Sequence, residues 1–224
     1  MPDFLAFDTS TETLSIAVSR GDAVWWHDGP GGAQASATLI PQIQRLLAEA
    51  GLALNQLDAI AFGCGPGSFT GLRTACAVAQ GLGFGAGVPL LPVDSLHALA
   101  RDAHDRVGAS HVVALLDARM DQVYVARYAF DGSADDRTPR LLAPEDVTVP
   151  PGFALAGNAF AAYGARLPAG EARHDALPTA RALLKLAPRL LEGGLAVAPQ
   201  DATPLYIRDK VAQTTAERAL AKPS

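Results

Sequence analysis

The stretch CGPGSFTGLR, residues 64–73, gathers glycines, hydroxyls and an arginine between an apolar run and a long series of small residues, the order of strand, glycine-rich turn and helix. A turn of that kind holds a phosphate when its amides and the helix N-terminus face the ligand. Walker-type binding needs G-x-x-x-x-G-K-[ST], whose lysine neutralises phosphate charge, and this stretch has no lysine. The dinucleotide fingerprint G-x-G-x-x-G begins with Gly65 and Gly67, but Thr70 stands where the third glycine belongs. The hydrolase elbow G-x-S-x-G fails around Ser68, because positions 66 and 70 are Pro and Thr. What remains is backbone chemistry: Gly65 and Gly67 free the turn, Pro66 fixes it, and Ser68 or Thr70 caps the next helix. A structural turn is the favoured reading and an anion site the alternative. Arg73 falls in the first helical turn, where a cation opposes the dipole, so it is expected to face a carboxylate or a partner.

Asp117, Arg119 and Asp121 alternate in sign within DARMDQ, 117–122. The spacing suits a paired-charge active site or a hairpin whose arginine bridges two carboxylates, and the hairpin is favoured. His97 and His104 share a predicted helix face with Arg101 between them and are read as solvated rather than as metal ligands. Cys64 and Cys76 have no nearby histidine and no further cysteine, which excludes a cysteine-rich zinc site and a disulfide framework and leaves structural thiols.

The elements that must position these groups follow from hydrophobic period. Residues 4–8, 14–18 and 23–27 read as a three-stranded meander. Leu39, Ile40, Ile43, Leu46, Leu47 and Ala50 recur at helical spacing with Gly51 as C-cap, and Pro41 places the helix start near Thr38, giving a helix over 38–50. A strand at 57–63 leads through the glycine turn into a helix over 71–87, then a strand at 88–93 and a helix from Asp94 to about Arg106. The order β-β-β-α-β-α-β-α is an antiparallel meander feeding a parallel α/β half. A second strand pair at 111–117 and 122–130 suggests a duplicated lobe without a residue-level repeat. Residues 153–160 read as strand then helix start, and 179–194 as an amphipathic helix interrupted at Pro188. The chain is expected to divide into a first lobe, 1–108, a smaller second lobe, 109–203, and a tail, 204–224. In the second helix Gly71, Ala75, Ala79, Gly83 and Gly87 recur every four residues, a stripe without side-chain bulk that fits close packing on the chain's own sheet or on a partner helix.

A net charge of -5 argues against a protein that grips nucleic acid unaided, since phosphate binding concentrates Lys and Arg. The uncharged run 75–93 raises the membrane question, but its glycines, Gln80, Pro89 and Pro92 favour a buried helix and strand. The amino terminus lacks a basic n-region, and a cytoplasmic protein with no membrane partner is expected.

LAFDTST (5–11), DAIAFGCGPGSFTGLRTACAVAQGLG (58–83), PVDSLHALA (92–100), LLDARMDQVYVARY (115–128) and PLYIRDKVAQ (204–213) together resemble the bacterial TsaB (YeaZ) family, almost end to end. The resemblance implies a two-lobed α/β fold of the actin-like (ASKHA) class, each lobe built on a ribonuclease-H-like mixed sheet. It implies a non-catalytic scaffold in adding the threonylcarbamoyl group to the adenosine beside the anticodon of tRNAs that read codons starting with A. The partners it implies are the catalytic paralogue TsaD and the ATPase TsaE, with a homodimer when alone and tRNA met only within the complex. The two first-lobe helices, 38–50 and 71–87, are the expected docking surfaces, with Leu39, Ile43, Gly71, Arg73, Ala75, Ala79 and Gly83 as contacts.

Actin-like ATPases hold phosphates in a loop from each lobe, so Asp8, Thr9, Ser10 and Thr11 read as a relic of the first loop. DARMDQ supplies no glycine for the second, and AGNAF, 156–160, reads as a relic of the adenosine loop. No cofactor, no metal and weak or absent nucleotide binding are expected. The stretch matching the paralogue's metal-binding helix, 33–43, has no histidine. The competing reading is an autonomous actin-like ATP-dependent kinase or hydrolase; a metallopeptidase is a third. Tyr206 and Arg208 are left open between a partner, RNA and docking of the tail.

Overall fold

The computed structural model describes residues 2–133, 136–168 and 172–208. The tail beyond Arg208, including the last residues of the PLYIRDKVAQ block, lies outside them.

The meander forms as β1 (Phe4–Asp8), β2 (Thr13–Arg20) and β3 (Ala23–Pro30). After helix α1 (Ala35–Ala50) come β4 (Ala59–Gly65), α2 (Phe69–Ala86) and β5 (Leu90–Asp94). The sheet order is β3-β2-β1-β4-β5, with β4 and β5 parallel to β1. Helix α3 (Ser95–Val107) leads to β6 (His111–Arg119), β7 (Gln122–Ala129), β8 (Arg140–Leu142), β9 (Ala154–Gly157), the short α4 (Phe160–Tyr163) and β10 (Arg173–Asp175). Read from its far edge, the second sheet runs β8-β7-β6-β9-β10, the same order and the same parallel and antiparallel pairings as the first.

The duplication reaches residue level at the sheet centres. Ala6 pairs with Ala17 and Ala61 in the first sheet, and Ala114 pairs with Ala126 and Ala156 in the second. Each alanine row lowers one face of its sheet so that a helix can lie close. On the first sheet that helix is α5 (Ala180–Glu192), whose Ala180, Leu183 and Ala187 join the core with Ala6, Ala17 and Ala61. On the second it is α3, whose Leu96, Leu99 and Ala103 pack with Ala114, Ala126 and Ala156. The expected division at residue 108 is therefore crossed twice: α3, placed with the first lobe by sequence order, covers the second sheet, and α5, placed with the second, covers the first. His97 and His104 are not solvated as expected; they are half-buried and stack on Tyr128 and Phe130, with centroids 4.9 and 4.4 Å apart.

The opposite face of the first sheet carries α1 and α2. Leu5, Phe7, Ile16 and Phe62 meet Leu39, Ile43, Ala75 and Ala79 there. Alternation along β1 explains the split, since Leu5 and Phe7 point to one layer and Phe4 and Ala6 to the other. Helix α1 starts at Ala35, ahead of the expected Thr38, and Pro41 sits inside it. The amide that Pro41 lacks would have met the carbonyl of Ala37, and both residues lie on the exposed side of the helix near its start, where the loss of that bond is tolerated. Pro188 likewise does not interrupt α5, which continues to Glu192. Among the described residues no helix is long and apolar enough to cross a membrane.

Candidate functional site

A cavity of about 400 Å3 opens between the lobes where the ends of β1 and β6 face each other. The loop after β1, the N-terminus of α2, the β6–β7 hairpin, Asn158 and residues 205–208 wall it.

On the first-lobe side the Asp8–Thr11 loop is turned largely inward. Asp8 is fully buried, and its carboxylate accepts from the Ser10 amide and hydroxyl, both at 2.7 Å, and from the Ser95 hydroxyl at 3.1 Å. Burial outweighs those bonds and pushes its pKa up. Thr9, also fully buried, donates its hydroxyl to the Gly71 carbonyl at 2.7 Å. Of the four expected loop residues, only Ser10 and Thr11 reach the cavity; Asp8 and Thr9 do not line it, because both are committed to internal bonds.

The same loop explains the glycines. A Cβ on Gly67 would sit 2.5 Å from the Ser10 carbonyl oxygen, and one on Gly71 only 1.9 Å from that of Thr9. The Ser68 amide donates to Ser10 O at 2.7 Å, so the start of α2 lies against the β1 loop backbone. The glycine turn is a packing device between two backbones.

That geometry corrects the expected contact surface. Ala75, Ala79, Leu39 and Ile43 are 0% exposed, and Gly71 and Gly83 are buried with them. The small-residue stripe faces the chain's own sheet, because α2 can lie against β4 and the β1 loop only along a flank without bulk. Of the seven expected contacts Arg73 alone reaches the surface; its guanidinium lies 3.8 Å over the Phe69 ring and Nε donates to the Tyr206 hydroxyl at 3.0 Å, so it meets aromatic groups rather than a carboxylate. The outward side of α2 carries Ala77, Gly81, Phe84 and Gly85, with Phe84 63% exposed, and on α1 Ile40 is exposed as well. Cβ atoms on Gly81 and Gly85 would meet nothing within 4 Å.

On the second-lobe side, Arg119 pairs with Asp117 at 2.9 Å but does not bridge to Asp121, which Arg166 binds at 2.6 Å while also holding Glu145 at 3.0 Å. Arg119, Met120 and Asp121 all have positive φ, 54° to 59°, which brings Asp121 away from Asp117 and toward Arg166. Asp117 also accepts from the Tyr163 hydroxyl at 3.0 Å, and its amide donates to Asn158 Oδ1 at 2.9 Å. Asn158 Nδ2 lies 3.4 Å from Glu12 Oε2 across the cleft, so AGNAF supplies an inter-lobe contact. Sequence reading missed Asn158, Glu12, Phe69 and Gln122 as junction residues; only the polar Asn within an apolar AGNAF gave a local signal. Tyr206 and Arg208, left open above, both dock the tail: Tyr206 on Phe69 and Arg73, Arg208 on Gln122.

Chemically the cavity offers carboxylates, amides and guanidinium groups already bonded to one another. Among the described residues its lining holds no histidine, lysine or cysteine. Cys64 and Cys76 are buried, and burial together with the charges of Asp94 and Asp8 pushes the Cys64 thiol up to about 12.

The family model described as "TsaD: tRNA N6-adenosine threonylcarbamoyltransferase" matches residues 31–216. The tRNA threonylcarbamoyladenosine biosynthesis protein TsaB of Escherichia coli (strain K12) is 34% identical over 230 residues, covering 93% of this chain and 95% of that protein. TsaB of Haemophilus influenzae is 47% identical over 126 residues, 55% of this chain and 52% of that one. The solved structure of YeaZ from Pseudomonas aeruginosa superposes with a TM-score of 0.86 at 39% identity, covering 92% of this chain and all of that one. Matched along most of its length by relatives above 30% identity and by a near-complete structural neighbour, the chain belongs to the TsaB/YeaZ family, with a two-lobed actin-like fold.

Proposed function

We propose that the chain is a docking subunit in tRNA threonylcarbamoyladenosine biosynthesis, non-catalytic on its own, that binds a TsaD-type catalytic partner through the outward faces of α1 and α2. The names of its relatives support the pathway. The observation that carries the docking role is the pair Gly81 and Gly85. Each helical glycine costs about 0.8–1 kcal/mol relative to alanine, and neither has an internal neighbour that would exclude a methyl group. With exposed Phe84 on the same helix, they leave an apolar shelf on which another backbone can lie close. A stable contact of this kind buries about 1,200–2,000 Å2 in total. TsaE joins through that assembly, and tRNA is met on the complex.

The test is Gly81→Leu, measured by copurification and titration calorimetry with a TsaD-type partner. The variant should fold normally and bind at least tenfold more weakly. Unchanged affinity in a folded variant would remove α2 from the interface. Mg-ATP titration into the isolated chain tests the competing autonomous enzyme, which requires tight binding and turnover.

A further inference from the structure

The chain passes between the lobes a last time at its described end, where it contacts first one lobe and then the other. After α5, Val197 bridges to Leu90 on the open side of β5, and the Ala202 carbonyl accepts from Gln80 Nε2 at 3.0 Å, both on the first lobe. The Leu205 amide then donates to the Cys64 carbonyl at 2.7 Å, and its side chain joins the first-lobe core. Two residues later Ile207 joins the second-lobe core instead. Between them Tyr206, 45% exposed, rests on Phe69 with ring centroids 5.5 Å apart. Arg208 completes the crossing, donating to Gln122 Oε1 at 2.7 Å and to the Arg119 carbonyl at 3.4 Å. Leu205 and Ile207, only two residues apart, thus pack on the cores of two different lobes. On the other side of the cleft the lobes are joined by α3 and by the Tyr128 hydroxyl donating to Asp94 at 3.2 Å.

The geometry points to residues 205–208 as an inter-lobe latch: the segment fastens the mouth of the cleft opposite α3, so that its release sets how far the lobes open. The positive-φ hairpin is the catch, since its Arg119 carbonyl and Gln122 side chain receive the Arg208 guanidinium. A single-lobe tail would need only the Leu205 anchor. This inference is independent of the docking role.

The full chain with spin labels on Ala48→Cys and Ala161→Cys, both exposed and on opposite lobes, reports the opening by electron–electron distance measurement. Native Cys64 and Cys76 are buried and stay unlabelled. The unaltered latch should give one narrow distance distribution. Arg208→Ala should broaden it, and hydrogen exchange at 119–122 and at the Leu205 amide should speed up about tenfold, as expected for loss of a hydrogen bond to a charged group. An unchanged distribution with unchanged protection would overturn the latch. Should Arg208→Ala fail to fold, Tyr206→Phe, which removes only the hydroxyl that Arg73 contacts, carries the same comparison with a smaller shift.

Discussion

Two glycines of one helix should respond to the same substitution with opposite sign. At Gly81 a new methyl group meets nothing within 4 Å, so Gly81→Ala gains the helical preference of alanine, about 0.8–1 kcal/mol. In a chain of this size that raises the Tm by about 2–4 °C. At Gly71 the same methyl would lie 1.9 Å from the Thr9 carbonyl oxygen, and ordinary contact begins near 3.4 Å, so backbone must move by more than an ångström. Moving it disturbs the Thr9 hydroxyl bond to Gly71 O and the Ser68 amide bond to Ser10 O. Overpacking of that kind costs about 1–3 kcal/mol, and the gain is small because Gly71 is only the third residue of α2. Urea unfolding of the two variants with unchanged m-values reads the difference directly. A Gly71→Ala variant as stable as the parent would refute the placement of the stripe against the β1 loop.

Asp94 caps α3 while half-buried, and desolvation raises its pKa to about 6 despite bonds from Leu96 N, His97 N and the Tyr128 hydroxyl. The folded state therefore holds this proton more tightly than the unfolded chain, so stability should rise by about 1–3 kcal/mol as pH falls from 7 toward 4.5. Asp94→Asn should flatten that dependence, and a wild-type protein that loses stability over the window contradicts it. Cys64, with its thiol pushed up to about 12, should resist alkylation in the native state and react only on unfolding; rapid native labelling at Cys64 would show the end of β4 to be open. Arg166→Ala should free Asp121 and Glu145 and leave the urea unfolding midpoint nearly unchanged, because all three groups are exposed; a marked drop in the midpoint would mean the hairpin depends on that pairing.

Much of the fold was written in local periodicity. Phe4–Asp8 reads directly as a strand because its apolar residues are bounded by TSTET, and DARMDQ reads as a hairpin because charge interrupts two apolar runs. The site was less legible, for physical reasons. A four-residue repeat fixes which residues of α2 share a face but not which layer that face meets, and the deciding contact, Thr9 on Gly71, spans 62 residues. Arg166 is 45 residues from Asp121, and nothing near DARMDQ shows that this arginine, rather than Arg119, takes the second carboxylate. The exchange of α3 and α5 between sheets was hidden because amphipathic helices carry no address; the alanine rows that receive them emerge only once the strands are in register.

Docking, rather than catalysis, is the role proposed for this chain. Threonylcarbamoyl transfer to tRNA should be measured with a TsaD-type partner, TsaE and the donor, with and without this chain, and with this chain replacing the partner. Transfer should depend on adding the chain, fall with Gly81→Leu, and be absent when the chain stands in for the partner. Transfer by the chain without that partner would contradict that role.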